Sequence, residues 1–508
     1  MSPRNLAILL ICLSSPSCAV PFWQAKTSTE LKPPDVDAPF LKVHTPDGDV
    51  FVLESWKIDD TQRVVTGAGI HYNTRRDVVE RGPLTIPFDR VALLETNRPE
   101  TVKQPYFAVI GVVGAVSLAG TAFCAISPKS CFGSCPTFYT PDGHLVAEGF
   151  SASIARALEA QDVDALWEAH PQNGHVQLRM VNEAVETQVV QYTRLLAAEK
   201  PAGGRVLRQG EKYWAATHFV GPLQCLGLAG DCITQLATPD FDEYHSTSDG
   251  VDLASRETVE LSFPPGEGAL GLAISGRTSL ISTFIFYQAL AYMGENAGRW
   301  QTRLEYGLPH TASAMKELMG VLGDIQVEVL TRSGWEDIGT FSEYGPIARE
   351  TQVLPLPADL PPGPVQVRLD MTRGGWRLDM ANLVQLGAQV TPTLVELANV
   401  VGPEGSNNGA VTHTLRDPDT YLFTYPGDEY TLDFQLPESI NDAELFLDTR
   451  GYYYEWMRTD WLPEEDPEKV VLMLGDTDRM LKELAPVWKT MEDQANEVFW
   501  NSRVGRPE

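Results

Sequence analysis

The sequence predicts a mainly β protein with α additions, divided into several modules, and three observations carry that expectation. Short runs of alternating apolar and polar residues recur from residue 40 onward, separated by turn pairs such as Asp47-Gly48, Gly82-Pro83 and Gly374-Gly375. Helical spacing is confined to a few segments. At 508 residues the chain is too long for a single core, and its 43% apolar and 21% charged residues lie in the range of folded globular proteins.

Residues 1–19 are expected to be a signal peptide: Arg4 precedes an apolar run from Leu6 to Leu13, which gives way to Ser-Ser-Pro-Ser-Cys. Cleavage before Cys18 makes a lipoprotein with Cys18 as the lipidated residue. Cleavage after Ala19, with Ser17 and Ala19 as small residues, leaves a soluble exported chain. Residues 20–39, rich in Pro, Lys, Thr and Asp, read as a tether. Residues 40–100 read as a small β-domain, with Val50-Phe51-Val52-Leu53, Arg63-Val64-Val65-Thr66 and Val91-Ala92-Leu93-Leu94 as strands.

The segment 105–127, containing FAVIGVVGAVSLAGTAFCAI, has no charge between Lys103 and Lys129 and is long enough for a transmembrane helix. A buried or interfacial hairpin and a partner-binding helix are the alternatives. A true span after a cleaved signal would place the C-terminal half in the cytoplasm, which conflicts with export.

The cysteines favour an oxidising compartment. Cys131 with Cys135 and Cys225 with Cys232 form two close pairs, read as local disulfides, with free thiols, metal or redox chemistry, or cross-pairing between the two clusters as alternatives; neither pair has C-x-x-C spacing. The stretch Ser134-Cys135-Pro136-Thr137-Phe138-Tyr139, following the apolar segment and leading into a turn at Asp142-Gly143 and a strand from His144 to Phe150, resembles a group of exported envelope proteins and lipoproteins of environmental bacteria. The resemblance covers about the first 200 residues of the 508; it implies an envelope location and brings no activity or ligand.

Residues 128–322 read as an α+β middle region. A helix is expected from Ser153 to Ala169, strands from His175 to Asn182, Ala184 to Ala198 and Thr258 to Phe263, and a core helix from Thr278 to Gly294. Residues 323–460 read as an antiparallel β-sandwich-like domain, with strands at Ile325–Leu330, Trp335–Phe341, Val365–Met371, Trp376–Met380, Tyr421–Tyr425, Tyr430–Leu436 and Glu444–Asp448. Residues 461–508 read as C-terminal helices.

No nucleophile elbow, phosphate loop, zincin helix or dinucleotide fingerprint is present, so the sequence names no catalytic residue, metal ligand set or cofactor. Acidic residues outnumber basic ones 68 to 39, a formal net charge of −29 that repels polyanions and argues against nucleic acid as a partner. The densest polar group is Asp240, Asp242, Glu243 and His245 in PDFDEYH, read as a solvated loop, or as a carboxylate pair Asp240/Glu243 for glycoside hydrolysis. His170 and His175, in HPQNGH, read as a surface turn.

The run Arg450 to Arg458, with Trp461 beyond it, concentrates the residue types that dominate binding energetics. Tyr452, Tyr454, Trp456 and Trp461 are therefore candidates for a binding surface. The alternative is that one strand face is core and the other packs on the C-terminal helices. Together these readings point to a non-enzymatic, membrane-attached envelope protein, held by lipid or by the apolar helix, that binds or scaffolds envelope proteins or glycans. An envelope hydrolase and a subunit of a secretion or assembly complex are the alternatives.

Overall fold

The computed structural model describes residues 20–28, 36–38, 40–45, 49–72, 78–91, 93–102, 135–184, 186–294, 297, 322–343, 345–402, 405–438, 440, 442–455 and 464–501. Cys18, the 105–127 apolar segment, Cys131, Trp456 and Trp461 lie outside them. The fold is mainly β with a few helices.

The N-terminal module is one six-stranded antiparallel sheet. Its strands are β1 (Val20–Ser28), β2 (Leu41–His44), β3 (Val50–Asp59), β4 (Val64–Tyr72), β5 (Val78–Pro87) and β6 (Leu93–Val102), in the spatial order β1-β6-β2-β3-β4-β5. Alternation along β2 to β5 sends Leu41, Val43, Phe51, Leu53, Val65, Leu84 and Ile86 to one buried face. Part of the expected tether is thus sheet: Val20–Ser28 pairs with β6 along its whole length.

The second module is a sandwich built from two separated stretches of chain. The first supplies β7 (Thr137–Tyr139), β8 (Leu145–Glu148), β9 (Ala160–Ala165), β10 (His175–Val181) and β11 (Glu186–Glu199). Between its halves runs the third module, with β12 (Gly204–Gln209), β13 (Lys212–Val220), β14 (Gln224–Gly227), β15 (Gly230–Asp231), helix α1 (Ile233–Ala237), β16 (Arg256–Phe263), β17 (Leu270–Thr278) and α2 (Ile281–Met293). It continues through β18 (Ile325–Thr331), β19 (Gly334–Phe341), β20 (Glu350–Pro355), β21 (Val365–Thr372) and β22 (Trp376–Val390). The chain then returns to the sandwich with β23 (Thr393–Val395), β24 (Leu397–Val401), α3 (Gly409–Arg416), β25 (Leu422–Thr424), β26 (Glu429–Gln435) and β27 (Ala443–Glu455).

One sandwich sheet has the order β24-β26-β10-β7-β8 and the other β23-β11-β27-β9, with β25 also on β11. Phe138, Val176, Leu178, Leu432 and Phe434 of the first face Val190, Leu195, Leu445 and Leu447 of the second. The third module pairs a closed barrel, β12-β13-β22-β17-β20, with a six-stranded sheet, β15-β14-β16-β21-β18-β19. Val259, Leu261, Val327 and Val367 of that sheet pack on Leu272, Ile274, Leu378 and Leu383 of the barrel. The strands expected in 323–460 therefore form, but they are shared among the barrel, its companion sheet and both sandwich sheets.

The Ser153–Ala169 segment is not the expected helix. Its core is β9, which pairs with β27 from Ala160↔Gly451 to Ala165↔Phe446. Its Ala- and Glu-rich composition favours helix, but pairing with a buried strand outweighs that local preference.

The Thr278–Gly294 expectation holds as α2. Its residues from Phe284 to Met293 are all buried, as befits a helix apolar on every side. Around it close α4 (Pro467–Gly475), α5 (Thr477–Lys489) and α6 (Glu492–Asn501), contributing Met473, Met480, Leu481, Leu484, Trp488 and Phe499 to the shared core. The side chain of Asp466 caps α4 by accepting from the Lys469 amide at 3.1 Å, with Pro467 at the first helical position. Asp476 does the same for α5 through the Arg479 amide at 3.2 Å. Among the described residues no helix is long and apolar enough to cross a membrane.

Candidate functional site

The sandwich, the barrel module and the C-terminal helices meet at a cleft of about 230 Å³ lined by Leu145 and Val146 of β8, Glu168, Phe241, Glu243, Arg277 of β17, Ile347, Ala348, Arg349 and Trp500 of α6. Glu243 comes from the PDFDEYH loop. Arg277 donates to it through Nε and Nη2 at 2.6 and 2.7 Å, a bidentate pair in which both side chains are about nine-tenths buried. Arg377 adds a third contact at 3.5 Å. Burial alone would raise the Glu243 carboxyl, but the Arg277 guanidinium outweighs it and holds the group below the ordinary carboxylate range.

Arg349 makes the second half of the network. It donates to Glu168 at 2.6 Å and to Asp379, whose side chain is fully buried in β22. Its guanidinium lies 3.5 Å from the centroid of the Phe241 ring. The Phe241 amide donates to the other Asp379 oxygen at 2.8 Å, which fixes the loop although the Phe241 side chain is 61% exposed. The arrangement holds three guanidinium groups and three carboxylates in mutual pairs.

Of the other residues in the loop, Asp240 is exposed and accepts from the Thr238 hydroxyl and the Asp242 amide, so it closes the turn and does not enter the cleft. His245 is also exposed. The expected Asp240/Glu243 pair is therefore divided between solvent and an internal ion pair. His170 and His175 do lie at a turn, where Asn173 and Gly174 take positive φ and His175 contacts Asp433 at 3.1 Å.

The cysteine expectation splits. Cys225 and Cys232 form a disulfide with Cα atoms 5.1 Å apart, bracing the β14–β15 hairpin. Cys135 is a free, buried thiol, which corrects its expected pairing with Cys131. Burial, together with the nearby Glu186 and Glu148, pushes that thiol well above its ordinary range, so it is an unreactive core group.

The aromatic binding surface is also corrected. Tyr452 and Tyr454 are each 5% exposed, with rings 5.3 Å apart in a small core with Val189. Tyr453 points the other way into the core shared with α2 and the C-terminal helices. Strand alternation was read correctly for the three tyrosines; both faces are buried because Tyr421 and Phe423 pack on one and α2 with the C-terminal helices on the other.

Glu168, Arg277, Arg349, Arg377 and Asp379 are the residues that sequence reasoning missed. They are spread over more than 200 positions, and their only local signal is a charge set inside an apolar run, as with Asp379 in Trp376-Arg377-Leu378-Asp379-Met380. Among the described residues no group of three or more His, Cys, Asp or Glu side chains is arranged to hold a metal ion.

No family model and no curated protein matches the chain. Matching solved structures include a β-porphyranase of glycoside hydrolase family 86 from the human gut bacterium Bacteroides plebeius, 9% identical, with a TM-score of 0.16 over 45% of this chain and 37% of that one. A family 31 α-xylosidase from Xanthomonas citri is 8% identical, with a TM-score of 0.13 over 84% of this chain and 38% of that one. The chain thus spans less than two-fifths of either, and likeness at these scores supports no conclusion about fold or chemistry.

Proposed function

We propose that this chain is a non-enzymatic, exported envelope protein whose rigidly joined β-modules bind or scaffold other envelope components. One observation carries the reading: the acidic and basic side chains of the inter-module cleft are spent on one another, Glu243 on Arg277 and Arg377, and Glu168 and Asp379 on Arg349. A general acid needs a raised carboxyl, and a nucleophile needs a carboxylate oxygen open to the substrate, whereas both Glu243 oxygens are held by Arg277. Glu243, held low by its arginines, suits neither the acid role nor an open site. Most of these pairs brace the barrel module itself, and Arg349–Glu168 ties it to the sandwich, which suits a scaffold. The Cys225–Cys232 disulfide supports an oxidising, exported environment.

Attachment by lipid at Cys18 or by the apolar segment belongs to the same proposal. Complete release from envelope fractions by salt, without detergent, would remove it. The binding claim is tested by cross-linking in intact cells, run beside a polysaccharide-hydrolysis panel on the purified chain. The expected result is a reproducible adduct to an envelope protein or glycan and no turnover.

A hydrolase is the second reading, favoured by Glu168 and Glu243 lining one cleft beside the exposed Phe241 ring. Release of reducing ends that disappears in both Glu168→Gln and Glu243→Gln would establish it in place of the scaffold.

A further inference from the structure

Behind the cleft, where the sandwich meets the barrel, five carboxyl groups lie close enough to repel one another. Glu148 ends β8, Asp162 and Asp164 lie in β9, and Glu343 and Glu350 bracket the segment that leads into β20. This segment is held to the sandwich by carboxyl groups accepting from backbone amides. Glu148 Oε1 accepts from Ile347 and Ala348 at 2.8 and 3.1 Å, and Glu350 Oε2 accepts from Ala165 at 3.1 Å. The backbone at Gly345 packs so closely on the Glu148 carboxyl that any Cβ there would collide with it. Asp162 accepts from the Phe150 amide and Glu343 from the Gly345 amide.

Among the described residues, the cations that reach Glu148, Asp162, Asp164 and Glu350 are fewer than these carboxyls. Arg208 of β12 reaches Glu350 at 3.3 Å, while Arg277 is already engaged with Glu243 and the Pro346 carbonyl. The other titratable neighbours among the described residues, Asp448 and Tyr453 of β27, Glu186 of β11, Tyr213 of β13 and the Cys135 thiol, are all acids. Two oxygens, Glu148 Oε2 and Asp164 Oδ2, are buried with no hydrogen-bond partner, although both residues are at least 97% buried. Such an oxygen is tolerable on a neutral carboxyl and costly on an ionised one.

We propose that this cluster is a proton-operated latch, closed when its carboxyls share protons and loosened when they ionise and repel the 345–350 segment from the sandwich. The operating range follows from burial, which pushes Glu148 and Glu350 up from 4.5 to about 7 and also raises Asp164, Asp162 and Glu343. A carboxyl raised on docking binds its proton more tightly in the closed form. The stabilisation is therefore complete below 4.5 and lost as pH rises through about 7. Within that window each pH step of one shifts the closed-to-open ratio by up to about tenfold per titrating carboxyl.

The test is hydrogen exchange on the full chain from pH 5 to 8.5, corrected for intrinsic base catalysis. It follows the amides of Ile347, Ala348 and Ala165, with those of Leu178 and Leu432 inside the sandwich as references. The latch requires the three junction amides to lose protection as pH rises while the references keep theirs. Glu148→Gln retains an acceptor but cannot ionise, and it should flatten the pH response at Ile347 and Ala348; Glu350→Gln should do so at Ala165. Junction protection that tracks the references at every pH would overturn the latch, as would a response unchanged in both variants or one set by added calcium and not by pH. If a variant loses reference protection it has misfolded, and the wild-type series alone then decides.

Discussion

At the scale of single residues, the cleft shows what a buried charge demands. Asp379 is fully buried, and its charge is offset by Arg349 and the Phe241 amide. Arg349→Met should cost about 3–5 kcal/mol in denaturant unfolding, because it leaves an uncompensated carboxylate inside β22. Arg349→Met combined with Asp379→Leu should recover much of that loss, which separates desolvation from packing. Tyr454→Ala should cost about 3–5 kcal/mol through the cavity it leaves, and affect binding only through stability. The sequence exposed part of this layer. PDFDEYH stood out as polar and does deliver Glu243 to the cleft, whereas Arg277, Arg349 and Asp379 were invisible, because the partner of each lies 30 or more positions away. For the tyrosines composition left two readings, since residues that bind well also fill cores, and the buried one, with a face on the C-terminal helices, is what the strand adopts.

Among the elements, those with strong periodicity or clear turn chemistry were legible. Helix α2 follows from an uninterrupted apolar run, and the turn between β21 and β22 from Gly374, which takes a φ of 72°. Strand β9 was not legible, since Asp162 and Asp164 alternate with Val163 and Ala165 for only a few residues, and the neighbouring Ala and Glu residues imitate a helix. The β14–β15 hairpin has little core of its own beyond Cys225 and Cys232, so its staple matters. Replacing both cysteines by Ser should cost about 2–3 kcal/mol, the loop entropy of a short closed ring, and raise exchange in residues 224–231 before the rest of the six-stranded sheet responds.

For the whole molecule, composition and turn spacing gave the class, but no local pattern could show that one module is threaded between the two halves of another. The pairing of β11 with β27 is long-range information. Stability should be bell-shaped in pH. Glu243, held low, contributes above its ordinary 4.5 and is lost as the solution becomes acidic, while Glu148 and Glu350, held at about 7, are lost as it becomes alkaline. Thermal unfolding should therefore peak between about 5 and 7, and a midpoint that rises steadily to pH 8.5 would contradict the burial of those two carboxyls. Removing residues 464–501 should strip the cover from α2 and produce dye-binding, aggregating protein even with both sandwich sheets intact. The threaded layout also sets a schedule. Glu199 pairs with Ala443, so about 240 residues, on the order of ten to fifty seconds of synthesis, separate the making of β11 from that of the strand that covers it. During that interval its edge is open to any passing strand, and a holding chaperone, or threading across a membrane before folding begins, is the natural guard for a chain built this way.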